Sequence, residues 1–166
     1  MDYTFGRFLR RQENVYENAL RELKDGRPQM MYLLFIFPRL RGLAINRKTF
    51  VYSIFNLDEA RAYLNHPVLG LRLLECCEAV LTHKDKTADE IFGEKQAANL
   101  QSSMTLFSLV SGENSIFQKV LEQFLDGEAD PVTSGLADGS IVDISYRKYL
   151  IAVDLWNNNK NNYKGD

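Results

Sequence analysis

The sequence predicts an all-α protein, a single compact domain of about seven to nine short helices in an orthogonal, irregular array. Three observations lead there. Apolar residues recur at intervals of three and four along most of the 166 residues, the period of a helix face rather than of a strand. Capping residues stand where these stripes begin, and glycine or proline where they end. No run alternates polar and apolar residues between hairpin turns.

The first stripe is Phe5, Phe8, Leu9, Gln12, Val15, Tyr16, Ala19, Leu20 and Leu23, one amphipathic helix or a bent pair. Asp25-Gly26 ends it, the glycine serving as a left-handed C-cap. Met30 to Phe37 then forms a run of eight uncharged, mostly large apolar residues closed by Pro38. The run is far shorter than the roughly 20 residues a membrane span needs. As a strand it would have no evident partner and would be marginal in water. A short helix from Gln29 to Phe37 satisfies its own backbone, and burying six large side chains contributes on the order of 10 kcal/mol gross. The run is read as core. Beyond Pro38, Arg39, Arg41 and Gly42 are expected to leave the core on a turn, and Arg39, Arg41, Arg47 and Lys48, with no acid between them, are dense enough to suggest an anion site.

Asn56 with Glu59 three residues later has the arrangement of a capping box and opens the next helix. His66-Pro67 stops it, and Pro67 suits the first turn of the following helix, about 67 to 83, which brings Leu69, Leu73, Cys76 and Val80 onto one face. Thr87 and Glu90 repeat the capping box. Two further helices, about 94–111 and 114–126, carry the stripes Leu100, Met104, Phe107 and Phe117, Val120, Leu121, Phe124. The segment "GEADPVTSGLADGS" reads as loop by its Gly, Pro, Asp and Ser content. A last helix, roughly 144–157, is expected to bury Tyr146, Tyr149, Leu150, Val153 and Trp156 before a frayed polar tail.

A chain of this length makes one domain able to bury most of its apolar surface. Its composition, 45% hydrophobic and 25% charged, is that of a globular protein. The net charge of −2 gives no overall attraction to phosphate backbones. The first 50 residues nevertheless carry ten Lys and Arg against five Asp and Glu, and the remainder ten against seventeen. Cys76 and Cys77 are adjacent, with no further cysteine, which excludes a disulfide framework or a zinc knuckle and fits a reduced, cytoplasmic setting. The opening residues MDYTFGRFLRRQEN contain no apolar segment of a secretory leader.

No catalytic constellation is recognisable. His66 before Pro67 suits backbone capping, and His83 suits the end of its helix. With no carboxylate or cysteine at ligand spacing, the two histidines make no metal site. Ser102, Ser103 and Thr105 in "QSSMTLF" have no nucleophile elbow around them and read as small hydroxyls that let helices pack closely. Arg72 has Glu75 and Glu78 within helical reach and is expected to pair with them. Phosphate loops and dinucleotide fingerprints are absent, and the basic patch at 39–48 lacks the interleaved aromatics of a nucleic-acid surface.

The segments "RFLRRQENVYENALRELKDGR", "FIFPRLRGL", "LDEARAYLNHPVLGLRLLE", "SSMTLF" and "FQKVLEQFLDGEADPVT" occur in this order and span about residues 5–133. In them the chain resembles the bacterial domain of unknown function family 1810. The resemblance implies a compact, mainly helical fold and no particular reaction. Members typically read His-Trp-Met-Trp-Phe and then Ile-Phe-Pro-Gln, where this chain has Met31, Tyr32, Leu33, Leu34, Phe35 and then Ile36, Phe37, Pro38, Arg39. They tend to have Gly and Ser at the positions of Ala44 and Asn46, and often Lys at that of Asn99. The expected organisation is thus a family-like helical domain over 1–137 and an extra C-terminal helix with a polar tail over 138–166.

Two functions follow from this reading. The one the sequence favours is a non-catalytic binding or protein-interaction module. The alternative is a protein that binds a small anionic ligand, or an enzyme of unassigned reaction. The partner is accordingly an unknown protein or a small anionic ligand, with no membrane, nucleic acid, metal or cofactor implied. For the ligand reading the candidate residues are Arg39, Gly42, His66, Arg72, Ser103 and Thr105. Arg39, His66 and Arg72 are expected to lie near one another, with Ser103 or Thr105 on a facing helix.

Overall fold

The computed structural model describes residues 3–162, without the side chains of 30, 31, 146, 156 and 158–162. Among the described residues there are eleven α-helices, one 3-10 turn and no strand longer than a single bridge.

The first stripe is a bent pair, α1 (Gly6–Glu13) and α2 (Tyr16–Lys24), broken at Asn14-Val15. Gly26 closes α2 at φ 69°, where a side chain would be strained. The apolar run is helix α3 (Met30–Ile36). Leu33, Phe35, Ile36 and Phe37 are buried and Tyr32 and Leu34 half-buried, so the core assignment holds for the described part of the run; the side chains of Met30 and Met31 lie outside the described residues. Gln12, buried with them, donates through its side-chain amide to the Phe35 carbonyl at 2.8 Å and to the Tyr63 hydroxyl at 3.1 Å.

After Pro38 the chain makes one parallel bridge, Leu40 with Ile54. The 3-10 turn Arg41–Leu43 and α4 (Arg47–Val51) follow. Helix α4 was hidden in the sequence among cations. Its signal is a capping box of Asn46 and Thr49, in which the Thr49 amide donates to Asn46 Oδ1 at 2.9 Å and Thr49 Oγ1 accepts from the Asn46 amide at 3.0 Å.

Helix α5 (Leu57–Asn65) begins as expected at Asn56, whose Oδ1 accepts from the Glu59 amide at 2.8 Å. The other half of the expected box is not made. The Glu59 carboxylate instead accepts from the Phe55 amide at 2.6 Å and from Arg7 at 2.7 Å, because α1 brings a cation to it. Helix α6 (Leu69–Leu81) starts later than expected, leaving Pro67 outside its first turn. Gly70 sits where α5 and α6 touch through backbone, and a Cβ there would overlap the Leu64 carbonyl.

Helix α7 (Ala88–Phe92) carries the full capping box of Thr87 and Glu90. Helix α8 (Glu94–Ser111) is the central element, packed against α5, α7, α9 (Ile116–Phe124) and α10 (Pro131–Asp138). Residues Ser102 to Phe107 are all buried, the signature of a helix enclosed on every side. An aromatic cluster lies in the core. Tyr63 meets Phe5 and Phe8 edge to face at centroid separations of 5.6 and 5.2 Å, and Phe107 at a tilt at 5.6 Å.

Two sequence expectations are corrected here. Part of the presumed loop "GEADPVTSGLADGS" is α10: Asp130 caps it by accepting from the Thr133 amide at 3.0 Å, and Pro131 occupies the first turn. The residues that suggested loop are cap chemistry. Helix α11 (Ser145–Asn162) exists, but Leu150 is exposed and Tyr149 and Val153 are only half-buried. The side chains of Tyr146 and Trp156 lie outside the described residues. Helix α11 lies at the margin, against α4 and the 3-10 turn, held by an Arg41–Asp143 ion pair at 2.9 Å and a Phe50–Tyr149 stack at 4.4 Å. No described helix is long and apolar enough to cross a membrane.

Candidate functional site

A cleft of about 280 Å³ opens between the α3–α4 region and the α7–α8 region. Leu33, Leu34 and Phe37 from α3 and its end, with Leu43 and Ile45, line one wall; Phe92 and Leu100 line the other. Three cations reach it, Arg39 and Lys48 from the first wall and Lys95 from the second. The remaining lining polar groups are Asn46, Thr49, Gln96 and Asn99. No carboxylate, imidazole or thiol is among the lining residues.

Local structure explains how these groups are held. Pro38 ends α3 and turns the chain, and Ser103 of α8 donates to the Pro38 carbonyl at 2.8 Å. That bond ties the residue preceding Arg39 to the central helix. Asn46 and Thr49 are fixed by their capping box, and Lys48 lies 5.6 Å from the centre of the Phe35 ring. One turn apart on α8, Asn99 donates through Nδ2 to Gln96 Oε1 at 2.8 Å.

Arg39 is half-buried, and among the described residues its guanidinium makes no hydrogen bond or ion pair. Burial lowers its pKa from the ordinary arginine value, with the Asp130 charge pulling the other way without reaching ion-pair distance. Asp130 is engaged elsewhere, capping α10 and accepting from Ser102 at 3.1 Å. A desolvated cation without a partner is costly, and an anion in the cleft would relieve that cost.

Of the six residues singled out in the sequence, Arg39 lines the cleft and the other five have other contacts. Gly42 lies under Leu136, which a Cβ at that position would approach to 2.6 Å. His66 caps α6, its Nδ1 accepting from the Val68 and Leu69 amides at 3.2 Å each. Arg72 donates to Gln12 Oε1 at 3.4 Å and stacks 4.6 Å over the Tyr16 ring. The expected pairing of Arg72 with Glu75 is not formed, because Glu75 accepts from the Tyr16 hydroxyl. Ser103 holds Pro38, as described. Thr105 donates to the Gln101 carbonyl and accepts from the Asp130 amide, both at 2.8 Å, which fastens α10 to α8.

Sequence reasoning missed Lys95 and Gln96. Their only signal was spacing: with Asn99 and Leu100 they fall on one helical face, a pattern shared by any solvated stripe. Leu34, Asn46 and Asn99 all line the cleft beside Arg39. Among the described residues no three His, Cys, Asp or Glu converge in a way that could hold a metal ion.

None of the curated proteins matches the chain. The crystal structure of the conserved hypothetical protein Rv1873 from Mycobacterium tuberculosis is similar, with 38% identity and a TM-score of 0.77, over 80% of this chain and 94% of that one. The sequence pattern of the family described as "protein of unknown function (DUF1810)" matches residues 2–136. With that match covering most of its length and that fold, the chain belongs to the DUF1810 family.

Proposed function

We propose that this protein binds a small organic anion in the cleft between α3–α4 and α7–α8. The observation that carries the proposal is Arg39, half-buried and without a bonding partner among the described residues, in a cleft that adds Lys48 and Lys95 and no acid. The apolar walls would hold the body of the ligand and the cations its charge, the usual division of labour in a small-molecule site. The charged lining groups are Arg39, Lys48 and Lys95, placed to hold an anion. In the same proposal, residues 1–137 form the domain that carries the cleft and 138–166 supply an extra helix packed on it and a polar tail, in a reduced, cytoplasmic setting. The family match ending at 136 and the free state of both cysteines support these two points.

A second reading, a protein-interaction module, rests on one observation. The segment leading into α11 and α11 itself expose Ile141, Val142, Ile144, Leu150, Ile151 and Leu155.

Thermal unfolding against a panel of organic anions separates the two readings, since a ligand bound only by the folded form raises the midpoint by mass action. The expected result is stabilisation by a subset of anions, reduced at high salt and lost in Arg39→Gln. If no anion shifts the midpoint, the ligand proposal fails and the interaction reading stands alone.

A further inference from the structure

Resting on the anion reading of the cleft, we infer that its ligand is a phosphate monoester whose body carries a heterocycle or amide-like edge, the class of the nucleoside monophosphates. The first argument is charge. Arg39, Lys48 and Lys95 reach the cleft from both walls with no lining carboxylate between them. A monocarboxylate would leave two of these like charges facing each other across an apolar slot. A phosphate monoester carries about −1.5 to −2 near neutral pH and offers three strong acceptor oxygens. Arg39 would grip two of these in its planar fork, and the lysines would act as point charges.

The second argument is the carboxamide pair on α8. The bond from Asn99 Nδ2 to Gln96 Oε1, 2.8 Å long, occupies the Gln96 acceptor and one Asn99 donor. The Gln96 amino group and the Asn99 carbonyl, a donor and an acceptor on two residues that line the cleft, make no hydrogen bond among the described residues. The complement is an acceptor and a donor, as on an amide, a lactam or the edge of a nucleobase. The apolar walls would sandwich a ring between Leu34 and Phe92. Size sets the upper bound. At about 280 Å³ the cleft is at the small end of ligand sites and too small for a dinucleotide.

Calorimetric titration of the full chain at low ionic strength tests this with adenosine and uridine monophosphates, the parent nucleosides, inorganic phosphate and benzoate. A mononucleotide is expected to bind more tightly than its nucleoside and than benzoate. Arg39→Gln should weaken it about tenfold or more, the worth of a charge-assisted contact. Gln96→Leu with Asn99→Leu should weaken the mononucleotide and leave inorganic phosphate unchanged, with circular dichroism confirming an intact fold for each variant. Benzoate binding while mononucleotides do not would overturn the phosphate assignment and spare the anion reading. A nucleoside binding as tightly as its monophosphate overturns the assignment as well. Equal loss of phosphate and mononucleotide affinity in the double variant removes the role of the carboxamide pair. Binding of none of these anions, nor of any other, sinks both readings.

Discussion

Glu59 is 1% exposed and carries a charge, a combination that survives only when the group is fully engaged. Its carboxylate accepts from the Phe55 amide at 2.6 Å and from Arg7 Nη2 at 2.7 Å. Arg7 also donates to the Ser53 carbonyl at 3.0 Å, while its Nε is buried without a hydrogen-bond partner among the described residues. Removing one member of such a pair leaves the other charge uncompensated. Glu59→Ala is therefore expected to cost about 3–5 kcal/mol, and Glu59→Gln less, because an amide can still accept from Phe55. Urea denaturation measures both. A loss under about 1 kcal/mol in Glu59→Ala would mean that the pair behaves like a surface ion pair. The same scale shows why the site was only partly legible. Arg39, Arg41 and Arg72 are one residue type, yet Arg41 pairs with Asp143, Arg72 stacks on Tyr16, and Arg39 has no bonding partner among the described residues. Their difference lies in what other elements bring to them, which a local reading does not contain.

At the scale of elements, caps decide where helices start, and cap residues double as loop residues. That ambiguity hid α4 and α10, whose Asn46 and Asp130 look like turn formers until their acceptors meet the Thr49 and Thr133 amides. Helix α11 is attached through Asp143. Burial tends to raise the pKa of that carboxyl, but the Ser145 hydroxyl and amide together with Arg41 outweigh it and hold the value below the ordinary carboxylate range. A depressed carboxylate contributes stability above its unfolded pKa of about 3.9, and the contribution is lost as pH falls through the lower folded value. The attachment of α11 should thus be intact at neutral pH and weaken only in acid. Hydrogen exchange of the α11 amides, with α8 as internal reference, should show Asp143→Asn reducing protection about twofold to fivefold at neutral pH, the range of a partly exposed pair. Unchanged protection would mean that the Phe50–Tyr149 stack holds the helix without the ion pair.

For the molecule as a whole, α8 and α6 form the interior, and Cys76 and Cys77 lie between α6 and its neighbours at 0% exposure. Burial pushes the Cys76 thiol up to about 12 and the Cys77 thiol well above its ordinary value, so neither presents a thiolate at neutral pH. Cys77 Sγ lies 3.7 Å from Met104 Sδ of α8, which places it deep in the packed core. Labelling by a thiol reagent should require opening of the whole domain. Both cysteines are expected to react slowly and at the same rate, and that rate should rise with urea in step with global unfolding. Rapid stoichiometric labelling in native buffer would contradict the packing of α6 against α2, α5 and α9.

The sequence by itself determined the helical class, most helix starts, and the burial of the run after Gln29. These depend on short-range chemistry: a period set by the helix, an acceptor three residues before its amide, and an apolar run too long to leave in water. The tertiary structure alone decided that Glu59 would answer to Arg7, that Tyr16 would take Glu75 from Arg72, and that α11 would lie at the margin. It alone assembled the cleft, because Arg39 and Lys95 belong to walls that are distant in the chain and face one cleft only once Ser103 of α8 holds Pro38 at the end of α3. A local pattern carries the charge of a residue. The partners left to that charge, and the anion it can hold, are set by which elements the packed core leaves facing one another.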